Sequence, residues 1–282
     1  MKTVIVGKDK QVTHAQIGGG QEFVLIAGPC VIESREHAFK HAEQILKITQ
    51  QAGVKLIYKS SYDKANRTSS KSFRGLGLDQ GLEILAALRR EFAVPIITDV
   101  HSPEEVQAAA KVVDLLQIPA FLCRQTDLLA AAGRSALPVM VKKGQFLSPD
   151  DMPFVIDKIK ATGNKQVICC ERGTSFGYRD LIVDMRGLQT MRSFGSPVVL
   201  DASHSVQRLG GVNGVSGGDR TQIPALARAG VAVGIDALFI ECHENPDKAL
   251  SDSMSQFPLN KLPALLDELL PIWKLRQDSL KE

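Results

Sequence analysis

Short apolar runs recur along the chain at 23–29, 55–60, 95–100, 115–119, 138–142, 166–170, 197–201 and 237–241, each the length of a buried strand. Between most of them, apolar residues return every three or four positions, clearest at 34–52, 78–92, 102–112, 148–162 and 221–234. That spacing predicts helices with one buried face. Ser102-Pro103-Glu104-Glu105 and Ser148-Pro149-Asp150-Asp151 set a capping hydroxyl before a proline suited to the first helical position. Eight strands, each followed by a helix or a connecting loop, predict an α/β (β/α)8 TIM barrel, with a doubly wound open sheet as the alternative.

The two ends fall outside this repeat. Residues 1–20 form an N-terminal extension in which Thr3–Val6 and Val12–Thr13 predict a short β-hairpin capping the barrel bottom, and 259–280 supplies the last helix. No linker or low-complexity tract interrupts the pattern, so 1–282 reads as a single domain. The glycine-rich stretch 210–218, between the seventh strand and its helix, reads as a mobile loop.

Composition narrows the function. With 44% hydrophobic and 23% charged residues in 282, the chain can bury a sizeable core. A net charge of only +3 and no isolated basic run argue against a nucleic-acid surface. Apolar runs such as 23–27 are too short for a bilayer, and the Met1 segment lacks an apolar signal region, so no membrane association is expected. Five scattered cysteines are an odd number, with Cys169 and Cys170 adjacent in one strand; this is reduced-thiol usage and predicts the cytoplasm. Gly75, Gly77 and Gly81 miss the dinucleotide spacing and no Walker ending is present, so nucleotide cofactors are unsupported.

Polar residues gather at the strand ends: Cys30, Lys59, Asp99 with His101, Arg124 with Gln125, Lys142 with Lys143, Glu171 with Arg172, Asp201 with His204, and Glu241 with His243. In a parallel barrel these ends share one face, where the active sites of such enzymes lie. Lys59, Lys64, Arg67, Arg124, Lys142 and Arg172 supply surplus positive charge for phosphate and carboxylate groups. Cys30, His204, Glu241 and Asp252 form a candidate metal set whose thiolate, imidazole and carboxylates suit Zn²⁺ or Fe²⁺ rather than Mg²⁺. Strands one, seven and eight are neighbours in a closed ring, which lets ligands far apart in sequence meet. Cys123, Cys169, Cys170 and Cys242 read as core residues, and His14, His37 and His41 as surface groups.

Ala-Gly-Pro-Cys-Val-Ile-Glu-Ser (27–34), Asp-Lys-Ala-Asn-Arg (63–67) and Thr-Asp-Val-His (98–101) resemble the 3-deoxy-D-manno-octulosonate 8-phosphate synthases. So do Gln-Ile-Pro-Ala-Phe-Leu-Cys-Arg-Gln-Thr-Asp (117–127), Val-Lys-Lys-Gly-Gln-Phe (141–146), Glu-Arg-Gly-Thr-Ser-Phe-Gly-Tyr (171–178) and Asp-Ala-Ser-His-Ser-Val-Gln (201–207). The likeness runs from about residue 22 to 265. It implies condensation of phosphoenolpyruvate with D-arabinose 5-phosphate and water, giving the eight-carbon keto-sugar phosphate and inorganic phosphate for lipopolysaccharide biosynthesis. It further implies a phosphoenolpyruvate pocket of Lys59, Lys64, Lys142 and Arg172, with Gln117 and Asp99 nearby. Asn66 and Arg67 would hold the arabinose phosphate, and Arg124 would reach it from a neighbouring subunit of a homotetramer. Thr68 stands where the family usually has Ser, keeping the hydroxyl.

Members of this family fall into a metal-requiring class with Cys in the first motif and a metal-free class with Asn there. Cys30 places the chain in the first, with His204, Glu241 and Asp252 as the other ligands of a divalent ion (Zn, Fe, Mn or Co). Lys64 and the metal-set residues Cys30, His204 and Asp252 are the expected catalytic groups. The related aromatic-pathway synthases, which use erythrose 4-phosphate, characteristically carry Lys-Pro-Arg-Thr where this chain has Lys64-Ala65-Asn66-Arg67-Thr68.

Overall fold

A computed structural model describes residues 3–7, 9, 11–67, 69, 72–176, 180–208 and 217–279. In chain order the strands are β1 (Val4–Val6), β2 (Ala15–Ile17), β3 (Val24–Gly28), β4 (Lys55–Lys59), β5 (Ile96–Asp99), β6 (Leu115–Ile118), β7 (Val139–Lys142) and β8 (Val167–Glu171). They continue with β9 (Thr174–Phe176), β10 (Asp180–Ile182), β11 (Val198–Asp201), β12 (Gln207–Arg208), β13 (Gly217–Gly218), β14 (Ala237–His243) and β15 (Phe257–Pro258). The helices are α1 (Arg35–Gln51), α2 (Leu78–Phe92), α3 (Pro103–Ala109), α4 (Thr126–Arg134), α5 (Met152–Lys160), α6 (Met185–Ser193), α7 (Ile223–Val233) and α8 (Leu262–Ser279).

Strands β3 to β8 pair in parallel sequence, β8 pairs β11, β11 pairs β14, and β14 returns to β3, closing an eight-stranded parallel barrel. Each strand matches one expected run, and the expected helices recur with ends shifted by a few residues. The first part of 148–162 is a 3-10 turn, where Ser148 and Asp151 cap each other's backbone before α5 begins. Helices α4 and α6 were not among the clearest periodic segments, being only nine residues each.

The alternation of strand side chains builds two cores. Leu25, Leu56, Tyr58, Leu116, Val141, Leu200 and Ile240 face outward beneath the helices. Val24, Ile26, Ile57, Ile97, Leu115, Met140, Ile168, Val199 and Phe239 fill the interior. The hairpin joins that inner core through Val4, Val6, Ala15 and Ile17, and so plugs the barrel. Its second strand is β2 rather than Val12–Thr13, because the Thr13 N–H donates to the Ala93 carbonyl at the end of α2.

Extending the inward parity by two residues gives Gly28, Lys59, Asp99, Gln117, Lys142, Asp201 and Glu241 at the mouth, and Arg172 follows two residues past the inner-core Cys170. Gly28 is required there, since a Cβ would lie 1.8 Å from the Lys59 carbonyl oxygen. An unanticipated four-stranded antiparallel sheet, β13-β12-β10-β9, stands over this mouth. Of the glycine-rich stretch, Gly217–Gly218 pairs with Gln207–Arg208 as strand, and 209–216 lie outside the described residues.

His41 is fully buried and His37 nearly so, which corrects their assignment as surface groups; only His14 is exposed. The apolar face of α1 carries both rings against His243, with ring centroids 4.0–5.1 Å apart. The backbone N–H of Glu244 donates to His41 Nε2 (3.1 Å) and that of Asn245 to His243 Nδ1 (2.9 Å). His243 Nε2–H then donates to His37 Nε2 at 2.9 Å. Backbone donors thus occupy lone pairs of His41 and His243, and the trio is a hydrogen-bonded joint between α1 and the turn after β14.

Burial lowers His41 to about 4. An unfolded histidine takes up its proton near 6.5, so between about 6.5 and 4 the unfolded chain binds more protons and stability falls on acidification. The loss expected across that window is at most about 3 kcal/mol. Urea unfolding at pH 7 and pH 5 checks this: the parent should weaken markedly at pH 5, and His41→Gln, which keeps an acceptor for the Glu244 N–H, should weaken much less. Equal pH dependence in both proteins would rule His41 out as the source.

Candidate active site

The barrel mouth opens into a cavity of about 620 Å³ lined by Lys59, Lys64, Asn66, Arg67, Asp99, Gln117, Lys142, Arg172, His204, Glu241 and Asp252 among others. Nearly every expected site residue therefore meets in one place. Arg124 does not: it is exposed and away from the cavity of its own chain, its carbonyl accepting from Lys158. Thr68 lies outside the described residues. Lys143, Glu171 and His243 leave the shared face as well. Lys143 and Glu171, of opposite parity to their neighbours, point out of the barrel and approach each other at 3.6 Å, and His243 turns to α1.

The cations form one layer. Lys59 Nζ donates to Ser61 Oγ (2.8 Å) and lies 3.4 Å from both Asp99 Oδ1 and Glu241 Oε1. Lys142 donates to Asp201 and stands 4.0 Å over the Phe239 ring. Arg172 donates through Nη2 to Gln207 Oε1 at 2.6 Å, while its buried Nη1 has no partner among the described residues. Burial opposes the charge of Lys64, yet the acidic groups around it leave it above the ordinary lysine range. Asp99 is held well below the usual carboxylate range despite burial, because Lys59 and His101 flank it. Lys64 and Asp99 are therefore held in their charged forms despite burial.

The second layer is the donor set. Cys30 Sγ, at the end of β3, lies 3.4 Å from Asp252 Oδ2; His204 Nε2 lies 3.6 Å from Glu241 Oε2 and 3.7 Å from Asp252 Oδ2. A tetrahedral shell with bonds of about 2.0–2.3 Å places its ligand atoms about 3.3–3.8 Å apart. The buried Glu241 Oε2 has no hydrogen-bond partner among the described residues, an orphan that a cation would satisfy. His204 Nδ1 donates to Asp201 Oδ2 at 2.6 Å, which fixes the tautomer and presents Nε2 to the other donors. Burial pushes the Cys30 thiol up, and the Glu241 charge adds to it, so only a bound cation would make it a thiolate. Asp252 has φ +49°, a left-handed conformation uncommon outside glycine and here spent on aiming its carboxylate inward. The donor atoms of Cys30, Glu241 and Asp252 lie within 4.8 Å of one another, a set that fits a borderline divalent ion, with His204 Nε2 beside Glu241 and Asp252.

Ser61, Gln145, Gln207, Ser251 and Gln256 also build the site and were not singled out for it from the sequence, whereas Asp201 was named there as a strand-end residue. Asp201 and Gln145 sit inside recognisable motifs, whereas Ser251 and Gln256 lie in a turn without periodicity or net charge.

A closed parallel barrel whose mouth gathers buried cations beside a cluster of metal-competent donors defines a class: TIM barrels with a polar cavity at the C-terminal ends of their strands. Residues 3–277 match the family described as the DAHP synthetase I family, and the chain belongs to that family. It is 55% identical over 260 residues to a 2-dehydro-3-deoxyphosphooctonate aldolase of Brucella anthropi, covering 92% of this chain and 94% of that protein. It is 53% identical over 262 residues to the protein of the same name from Trichlorobacter lovleyi (93% and 96% covered), and 54% over 261 residues to that of Geobacter metallireducens (93% and 96%).

Proposed function

We propose that the protein condenses phosphoenolpyruvate with D-arabinose 5-phosphate and water, giving 3-deoxy-D-manno-octulosonate 8-phosphate and inorganic phosphate for lipopolysaccharide synthesis. One observation carries this reading. Of six buried side-chain atoms without a partner among the described residues, five belong to residues that line the cavity at the barrel mouth (Arg67, Gln117, Gln145, Arg172 and Glu241). Buried polar groups are normally satisfied, so the two guanidinium N–H groups suit an anion, the two amide oxygens a hydroxyl donor, and the Glu241 oxygen a cation. The relatives' shared name supplies the particular reaction.

In this reading Lys59, Lys64, Lys142 and Arg172 hold the phosphate and carboxylate of phosphoenolpyruvate, with Asp99 and Gln117 beside them. Asn66 and Arg67 hold the aldose phosphate, joined by Thr68 and by Arg124 from a neighbouring subunit of a homotetramer. Carbon three of phosphoenolpyruvate bonds to the aldehyde carbon, water adds to carbon two, and the carbon–oxygen bond to phosphate breaks. Asp252 or His204 takes the proton from water, and a proton returns to the former aldehyde oxygen. Cys30, His204, Glu241 and Asp252 would hold a divalent Zn, Fe, Mn or Co ion, which when bound supplies Lewis acidity and orients oxygen groups. The whole chain, 1–282, works as one catalytic domain, in the cytoplasm where its five buried free thiols stay reduced.

Phosphate release with arabinose 5-phosphate and erythrose 4-phosphate, measured side by side with and without chelator, tests the proposal. Asn66 stands at the cavity mouth, where its amide can bond a sugar hydroxyl that the shorter aldose cannot place there. A lost hydrogen bond of about 1–2 kcal/mol predicts a roughly 5- to 30-fold higher kcat/KM for arabinose 5-phosphate. Equal values for the two aldoses would sink the substrate assignment.

A further inference from the structure

The turn between β14 and β15 carries more than Asp252. Ser251, one residue before it, is almost wholly buried, and its Oγ lies 3.1 Å from Cys30 Sγ. The same Oγ accepts from Arg67 Nη1 at 2.8 Å, and Arg67 Nη2 donates to the neighbouring Leu250 carbonyl at 3.2 Å. Gln256 anchors the turn from the other side: its amide donates to the Ser251 carbonyl (2.9 Å) and its carbonyl accepts from the Cys30 N–H (3.3 Å). One hydroxyl therefore joins a member of the metal set to an arginine of the aldose subsite.

We propose that Ser251 is a positioning residue that couples the Cys30 donor set to the aldose-phosphate subsite; this rests on the metal and substrate reading given above. With Cys30 as a thiol, its S–H donates to Ser251 Oγ. With Cys30 as a thiolate bound to a cation, the hydroxyl turns its own proton onto sulfur. The Arg67 donor polarises that hydroxyl and strengthens the bond. Arg67 can serve both sides at once, because its two terminal nitrogens are held by the turn while its buried Nε–H has no partner among the described residues. An anion taken by that Nε–H stiffens Arg67 without breaking its hold on Ser251. Binding at one site then favours the other, and the effect is reciprocal.

The test uses the full-length protein stripped of metal and titrated with Co²⁺, whose thiolate charge-transfer absorption reports on Cys30. In the parent, saturating arabinose 5-phosphate should tighten Co²⁺ binding by about fivefold or more. Ser251→Ala should weaken Co²⁺ binding by about tenfold, move the charge-transfer band to longer wavelength as sulfur loses its hydrogen bond, and bring the coupling factor close to one. Ser251→Thr, which keeps the hydroxyl, should restore band and coupling together. An unshifted band or full coupling in Ser251→Ala would overturn the proposal, as would a parent whose Co²⁺ affinity ignores the sugar phosphate. The parent's own thiolate band and its phosphate release report separately on the metal and substrate assignments, so a failure there is distinguishable from a failure of the coupling.

Discussion

Replacing Arg172 by lysine is expected to lower kcat/KM for phosphoenolpyruvate by about 10- to 100-fold while the charge of the site is unchanged. The guanidinium belongs to a buried residue lining the cavity at the end of β8, with Nη2 committed to Gln207 and Nη1 without a partner among the described residues. Burial lowers its affinity for a proton, yet an arginine remains charged, and a dry charged donor with an open N–H is a strong anion hook. Lysine offers one compact ammonium that cannot reach both Gln207 and an anion in fixed geometry. The lost charge-assisted bond, about 1.5–3 kcal/mol, should appear mainly in KM for phosphoenolpyruvate. Steady-state kinetics with each substrate varied in turn decides it. A rise confined to KM for arabinose 5-phosphate would move Arg172 to the other subsite.

The barrel was legible because its strands announce themselves twice, as apolar runs and as a two-residue alternation that survives closure. Val24, Ile26 and Gly28, or Ala237, Phe239 and Glu241, can be placed on the inner face by counting alone once the strand is found. The same counting explains the outliers. Lys143 and Glu171 stand one position off the inward parity, and the structure pairs them outside the barrel at 3.6 Å. His37 and His41 were misplaced because histidine polarity suggests a wet surface, whereas His41 sits on the buried face of α1 with Ala38, Ala42 and Ile45. The small sheet over the mouth was invisible for a different reason. Its strands run two or three residues and are partly exposed, too short for any period to register. Ser251 and Gln256 were equally silent, since their role depends on a turn meeting β3 across 221–226 residues of chain.

Truncating Cys30 to alanine is expected to remove the bound metal and lower kcat by about 10²–10³-fold, whereas asparagine at the same position should keep some turnover that chelator no longer touches. Alanine deletes one of four donors and leaves Ser251, Asp252 and the orphaned Glu241 Oε2 without a common partner. An asparagine amide can occupy the same junction, its N–H₂ donating to the Asp252 carboxylate now 3.4 Å from sulfur and its carbonyl accepting from the Ser251 hydroxyl now 3.1 Å away. If the metal chiefly orients water and aldose, that hydrogen-bonded frame replaces part of its function. If the metal is an essential Lewis acid, the two variants should be equally inactive. The orientation role is favoured because Lys59, Lys64, Lys142 and Arg172 already concentrate positive charge at the cavity, independent of any ion. The measurement is kcat for parent and both variants after exhaustive chelation, with bound metal quantified. A folded, substrate-binding but inactive Cys30→Asn protein would refute orientation, and a parent indifferent to chelation would refute the metal set of Cys30, His204, Glu241 and Asp252 itself.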